Sequence, residues 1–410
     1  MRVDPILLAV SQGLDAIEAQ VIGITSGHCR RIAAICNGMG SALGMSHDER
    51  ITLSVSALLH DSALTEWIMS GDEAAEHCIM GQHNLDTLPL PTDATDFVKY
   101  HHERADGSGM FGMKDIPLCA EIISVADAFD AGIPLGGFSP KLIEAVHVQY
   151  SNEPLPEWHL HGRDAMKLGD IIARVIDYKS KFTRRHTLGI AEKARTMADF
   201  YRYDEETTAK LYLAACLHDV GKLFTPTEIL EKPERLTNDE FITIKNHVYK
   251  THEMLEGIDP DIRSWAAGHH EKLNGMGYPF GLDGDKLDFN SRLLACVDIY
   301  QAVSEERPYH PARSHKDTIE ILSNMANNGF IDINITRDID MALEGVYDRS
   351  AKSYSGNGIR AKASHGRRYL CRGEKRNSQR VARNGIPKPR SIYRKRTTAQ
   401  NTAKQCAGHI

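Results

Sequence analysis

The sequence lacks the features that carry a chain into or across a membrane. No apolar run approaches the roughly 18 to 20 residues a bilayer demands, and the opening MRVDPILLAVSQGLDAIEAQ has acids where a signal peptide continues apolar. Both absences lead to the expectation of a cytoplasmic protein. Paired cysteines are missing as well. Cys29, Cys36, Cys78, Cys119, Cys216, Cys296, Cys371 and Cys406 are scattered with no Cys-X-X-Cys among them, which argues against a zinc knuckle and a disulfide framework. Sustained period-two alternation is hard to find, so an all-α fold is expected.

What is present is an ordinary globular composition, 41 % hydrophobic and 25 % charged, in 410 residues. That length suits two or three domains, each with its own core. Charge is unevenly shared. From Lys352 onward there are 16 Lys and Arg against one acid, Glu374, which leaves 33 bases and 54 acids in the body. A tail of this composition, 351–410, is expected to be disordered, and it offers phosphate contacts to nucleic acid or an anionic surface.

The body reads as helices. In HTLGIAEKARTMADFY, Leu188, Ala191, Ala194, Ala198 and Tyr201 recur at spacings of three and four. Thr237 and Glu240 make a capping-box pattern that opens another helix. A connecting segment at 141–163, with Pro154 and Pro156, divides a first half, 1–140, from a second, 164–350.

The halves repeat one another. His60-Asp61 matches His218-Asp219, and each doublet follows a histidine by 32 residues, His28 and His186. Next come His77 and His247, then the doublets His101-His102 and His269-His270, and last Asp127 and Asp298. Each half therefore supplies five histidines and two aspartates in one order. Imidazole with carboxylate suits Mn, Fe, Zn or Ni. Seven ligands exceed what one ion needs with positions left for water, so two ions sharing an aspartate fit the count. Such a pair suits phosphoester hydrolysis, because it lowers the pKa of a bridging water towards about 7 and neutralises phosphate oxygens.

HDVGK at 218–222 followed by HHEKLNGMGYP at 269–279 resembles the HD-GYP subgroup of the HD-domain metal-dependent phosphohydrolases, helical enzymes that hydrolyse cyclic dinucleotides. The resemblance is strong over about 165–350 and weaker over 15–150. It implies tandem HD-domain bundles, with His186, His218, Asp219 and Asp298 on one metal and Asp219, His247, His269 and His270 on the other. The two divalent ions would be Fe or Mn, and Asp219 would bridge them. Lys222 would reach the scissile phosphate, and Tyr278 and Arg307 would contact the dinucleotide. Some relatives recruit a third metal through a glutamate where Phe182 stands here, so two are expected.

The corresponding first-half positions are Leu64, Met110 and Gly136. That half keeps His28, His60, Asp61, His77, His101, His102 and Asp127 as a possible vestigial metal site without the groups proposed to grip substrate. Intramolecular packing of the two halves is expected, and a homodimer is compatible. Asn274 stands where the family pattern has Asp, which the first half keeps as Asp106, and the replacement is expected to change a loop hydrogen bond and to remove a charge near the site. The implied activity is a phosphodiesterase acting on cyclic di-GMP or 3′,3′-cyclic GMP-AMP. A non-catalytic receptor and a broader nucleotide phosphohydrolase are the rivals.

Overall fold

The computed structural model describes residues 1–21, 26–64, 67, 75–147, 154–180, 186–232, 234–306 and 312–355, with 20–21 and 345–355 as backbone alone. In the first half the helices are α1 (Asp4–Val21), α2 (His28–Ala42), α3 (His47–Leu58), α4 (Glu76–Asp86), α5 (Leu118–Asp130) and α6 (Pro140–His147). The second half contributes α7 (Gly162–Asp177), α8 (His186–Phe200), α9 (Glu205–Leu217), a 3-10 turn (Val220–Phe224) and α10 (Thr227–Leu230). It continues through α11 (Asn238–Met254), α12 (Pro260–Ala267), α13 (Phe289–Ser304), α14 (His315–Asn327) and α15 (Ile333–Ser355). No strand occurs among the described residues. The isolated bridges Arg2–His159 and Asn274–Asp283 stand in for sheet pairing.

Local sequence explains the boundaries. Ser46 and Glu49 form a capping box at the start of α3, and Thr237 and Glu240 form one at α11, as the pattern predicts. The periodic segment at 186–200 is helix α8 and buries Ile190, Ala191, Ala194, Met197 and Ala198. Helix α1 occupies the opening stretch and buries Ile6, Leu7, Val10, Leu14 and Ile17. Full burial of such side chains contributes roughly 1.5–3 kcal/mol each, so this segment belongs to the core.

Residues 1–344 form one compact unit. The connecting segment is structured on both sides of 148–153: α6 fills 140–147, and Trp158 and Leu160 are buried where Val3 donates to Trp158 O and Leu160 to Met1 O. Helix α15 runs to Ser355, so the start of the basic tail is helical where disorder was expected. The remainder of the tail lies outside the described residues, as do Arg307 and Phe182.

Candidate metal centre

Helix ends set the second-half constellation. His186 opens α8, His218 and Asp219 follow α9, His247 lies within α11, His269 and His270 follow α12, and Asp298 projects from α13. All but His270 are buried. His186, His218 and Asp298 bring ligand atoms within 4.8 Å of one another, and His247, His269 and His270 do the same. Asp219 lies between the groups: Oδ2 is 3.1 Å from His218 Nε2, and Oδ1 is 3.1 Å from His247 Nε2 and 3.9 Å from His269 Nε2. One carboxylate thus presents an oxygen to each triad, which is the placement a bridging ligand requires.

The imidazoles are oriented by the backbone. Nδ1 of His218 points at Ala215 O (2.7 Å), that of His247 at Ile244 O (2.5 Å), and that of His269 at Ala266 O (2.6 Å). Each Nδ1 therefore donates to the carbonyl three residues earlier, which leaves Nε2 as the lone-pair nitrogen turned into the centre. Those three Nε2 atoms and Asp219 Oδ1 are buried and make no hydrogen bond. Unsatisfied buried groups cost about 1–3 kcal/mol each, and cations are the partner that suits all four. The donor set therefore fits divalent metal.

Charge in the centre is arranged for the same end. Burial opposes ionisation of Asp219, but His218, Lys222 and His247 hold its carboxyl well below the ordinary range. Burial likewise opposes the charge on Asp298, and the hydrogen bond from His186 together with the charge of His218 outweighs it. Burial and the adjacent His270 and His218 push His269 well below its usual value, and burial takes His270 down to about 4. Both imidazoles are consequently neutral at pH 7, the form that binds metal. His186 goes the other way. Burial lowers it, but Asp298 and Glu305 carry it up to about 9.

Around the centre, Lys222 in the 3-10 turn donates Nζ to Asp219 Oδ2. Tyr278 lies tilted beside His270 at 4.8 Å between ring centroids, and Lys245 lies over its face at 4.4 Å. Burial and the two aspartates raise its phenol above the usual value, so it stays protonated. The loop is tied down by Glu271, whose oxygens accept Phe280 N (2.7 Å) and Leu282 N (2.9 Å). Asn274 Oδ1 accepts Met276 N at 3.1 Å, the same local turn that Asp106 makes with Ser108 N at 2.8 Å.

The first half assembles its seven residues as well. His28, His60 and Asp127 form one group, and His77, His101 and His102 another. Asp61 Oδ1 is 3.5 Å from His77 and 3.6 Å from His101, and Oδ2 is 3.6 Å from His60. Nδ1 of His60 and of His101 again points at the carbonyl three residues back. Leu64, where the second half has Lys222, is buried.

The repeated geometry agrees with the family comparison. One HD domain family model matches residues 170–335 and a second matches 25–132. The chain belongs to the HD-domain family. Its HD domains occur in tandem. The 3′3′-cGAMP-specific phosphodiesterase 1 of Vibrio cholerae is 26 % identical over 381 residues, 79 % of this chain and 88 % of that protein. A cyclic di-GMP phosphodiesterase of Thermotoga maritima is 31 % identical over 144 residues, 34 % of this chain and only 39 % of that protein. A crystal structure of a cyclic GMP-AMP specific phosphodiesterase from V. cholerae has the same fold, with a TM-score of 0.57 at 21 % identity over 85 % of this chain and 99 % of that one.

Sequence reading missed several contributors. Glu305 accepts from His186 Nδ1 at 3.1 Å, and Asp130 holds His28 Nδ1 at 2.6 Å. Their signal was available: they stand seven and three residues after Asp298 and Asp127, spacings that share one helix face. Glu271 and its first-half counterpart Glu103, which accepts Phe111 N and Met113 N, stand next to the histidine doublets and carried no such helix-face cue.

Proposed function

We propose that the chain is a metal-dependent phosphodiesterase that opens a cyclic dinucleotide, cyclic di-GMP or 3′,3′-cyclic GMP-AMP, to the linear dinucleotide and on to mononucleotides. The second half is the working half. The observation that carries this reading is Asp219, set between two histidine-bearing triads and touched by Lys222. His186, His218, Asp219 and Asp298 would hold one ion, and Asp219, His247, His269 and His270 the other, Fe or Mn suiting this donor set. When bound, two such ions supply an activated water nucleophile and neutralise phosphate charge.

The chain's own groups do the rest. Lys222 swings from Asp219 to the phosphate oxygen that leaves. Tyr278 offers a ring face and a phenolic donor beside His270, and Arg307 donates its planar fork to phosphate or a guanine edge. Named relatives act on both dinucleotides, whose backbones are alike, so the choice between them falls to groups that touch the bases. The six described cysteines are free thiols, in keeping with work in the cytoplasm. The first half serves as a packed scaffold within the same chain.

The test is a chromatographic product assay of metal-loaded protein on cyclic di-GMP, 3′,3′-cyclic GMP-AMP and cyclic di-AMP. Turnover is expected, with His218→Ala and Asp219→Ala each lowering it by at least about 10³-fold and His60→Ala by less than about threefold. Binding without turnover would make the chain a receptor. Equal loss from His60→Ala and Asp219→Ala would end the assignment of a single working half.

A further inference from the structure

The two metal constellations differ in a way the repeat hides. In the second half the residue after His247 is Val248, a fully buried aliphatic side chain. In the first half the residue after His77 is Cys78, equally buried, and its Sγ joins the nitrogens of His77, His101 and His102 in a group whose atoms all lie within 4.8 Å. Cys78 Sγ is 3.4 Å from His77 Nε2. A tetrahedral ion with bonds of about 2.0–2.3 Å sets neighbouring ligand atoms roughly 3.5 Å apart, so this edge is already at length. His101 Nε2 of this group and the neighbouring Asp61 Oδ1, 3.6 Å apart, are buried and make no hydrogen bond. Trp67 packs against His77 at 5.8 Å between ring centroids.

The other subsite is also supplemented. Glu18 of α1 is completely buried, and its Oε2 makes no hydrogen bond and lies 3.9 Å from His28 Nε2. Asp15 accepts Cys29 N as Asp177 accepts Thr187 N, one residue after the first histidine of each half. Counting three residues on from each aspartate places Ser180 where the first half has Glu18.

We propose that the first half is a closed metal site of changed ligand class, in which Cys78, His77, His101 and His102 bind a zinc-type ion and Glu18 joins His28, His60 and Asp127 in the adjoining subsite. On binding, the Cys78 thiol releases its proton to solvent and the thiolate takes the coordination position that Val248 leaves for water in the second half. A soft thiolate favours zinc over the harder ions that a histidine-aspartate set accepts. The first copy thus holds metal without an open position for a nucleophile, and duplication has separated structural metal from a reactive pair. The inference does not depend on the proposed substrate, because its readout is spectroscopic.

The experiment strips the full chain of metal and reloads it with cobalt(II). Wild-type protein is expected to show a near-ultraviolet thiolate-to-cobalt charge-transfer band. The band should disappear in Cys78→Val, which copies the second half, and persist in Asp219→Ala. Native mass spectrometry should find one fewer tightly held ion in Cys78→Val. Should that variant fail to fold, Cys78→Ser keeps the side-chain volume and is read in the same way. No band in the loaded wild type, or a band that survives both Cys78 substitutions, overturns the proposal.

Discussion

Lys222 is placed by backbone geometry three residues after the carboxylate it touches. The 3-10 turn at 220–224 puts its ammonium on Asp219 Oδ2, while Leu64 at the matching place is buried and apolar. A cation at this position acts on charge that develops during bond breaking, so its loss should appear in turnover rather than in metal content. Lys222→Ala is expected to lower kcat by about 10²–10³-fold while elemental analysis finds the wild-type amount of metal. A parallel loss of metal would instead make Lys222 a structural partner of Asp219. The same scale corrects one sequence expectation. Asn274 was expected to change a loop hydrogen bond, yet its side-chain oxygen accepts the amide two residues on, as Asp106 does. What the replacement removes is a negative charge.

At the scale of elements, the ligand order was legible because the helices that carry the ligands, or end at them, recur in one order. His28 and His186 lie 158 residues apart, as do His60 and His218, but the offset becomes 170 at His77 and His247 because the second half has 28 residues from Asp219 to His247 where the first has 16 from Asp61 to His77. Order survived where spacing did not. Cys78 and Glu18 escaped notice because nothing in a linear pattern tells which side of α4 or α1 faces the histidines; only packing decides that. Close approach is similarly invisible until the elements meet. A Cβ on Gly221 would lie 2.0 Å from His247 O and 2.8 Å from Thr251 N, both backbone atoms of α11. Gly221 N also donates to Thr251 Oγ1, and that hydroxyl donates to His218 O. Gly221→Ala must therefore drive the 3-10 turn away from α11, destabilising by about 1–3 kcal/mol. The expected result is a Tm lower by several degrees together with weakened metal binding, since Asp219 and His247 are pushed apart. A normal metal affinity in a folded Gly221→Ala protein would show that the turn and helix move together.

Across the whole molecule, the first half reaches the second through α1 and α4. Arg174 of α7 donates to Asn84 Oδ1 of α4 at 3.0 Å. Gly13 of α1 leaves so little room that an added Cβ would lie 2.2 Å from Leu223 Cδ1 and 3.3 Å from Leu223 Cβ. Leu223 directly follows Lys222, so a first-half helix seats the turn that presents the reactive ammonium. This contact gives a half without Lys222 or Tyr278 a physical role: its core fixes α1, and α1 fixes the floor of the other half's site. A methyl group at Gly13 clashes hardest with the flexible end of Leu223, which can change rotamer, and presses its Cβ only lightly at 3.3 Å. A branched side chain leaves it no free direction and has to shift the turn. Gly13→Ala is therefore expected to keep most activity, whereas Gly13→Val should cost about 1–3 kcal/mol and lower kcat several-fold with metal content unchanged. Comparing kcat per folded molecule for the two variants, with folding checked by thermal melts, separates coupling from simple destabilisation. If Gly13→Val lowers Tm but leaves kcat untouched, the two halves share a core without sharing the site.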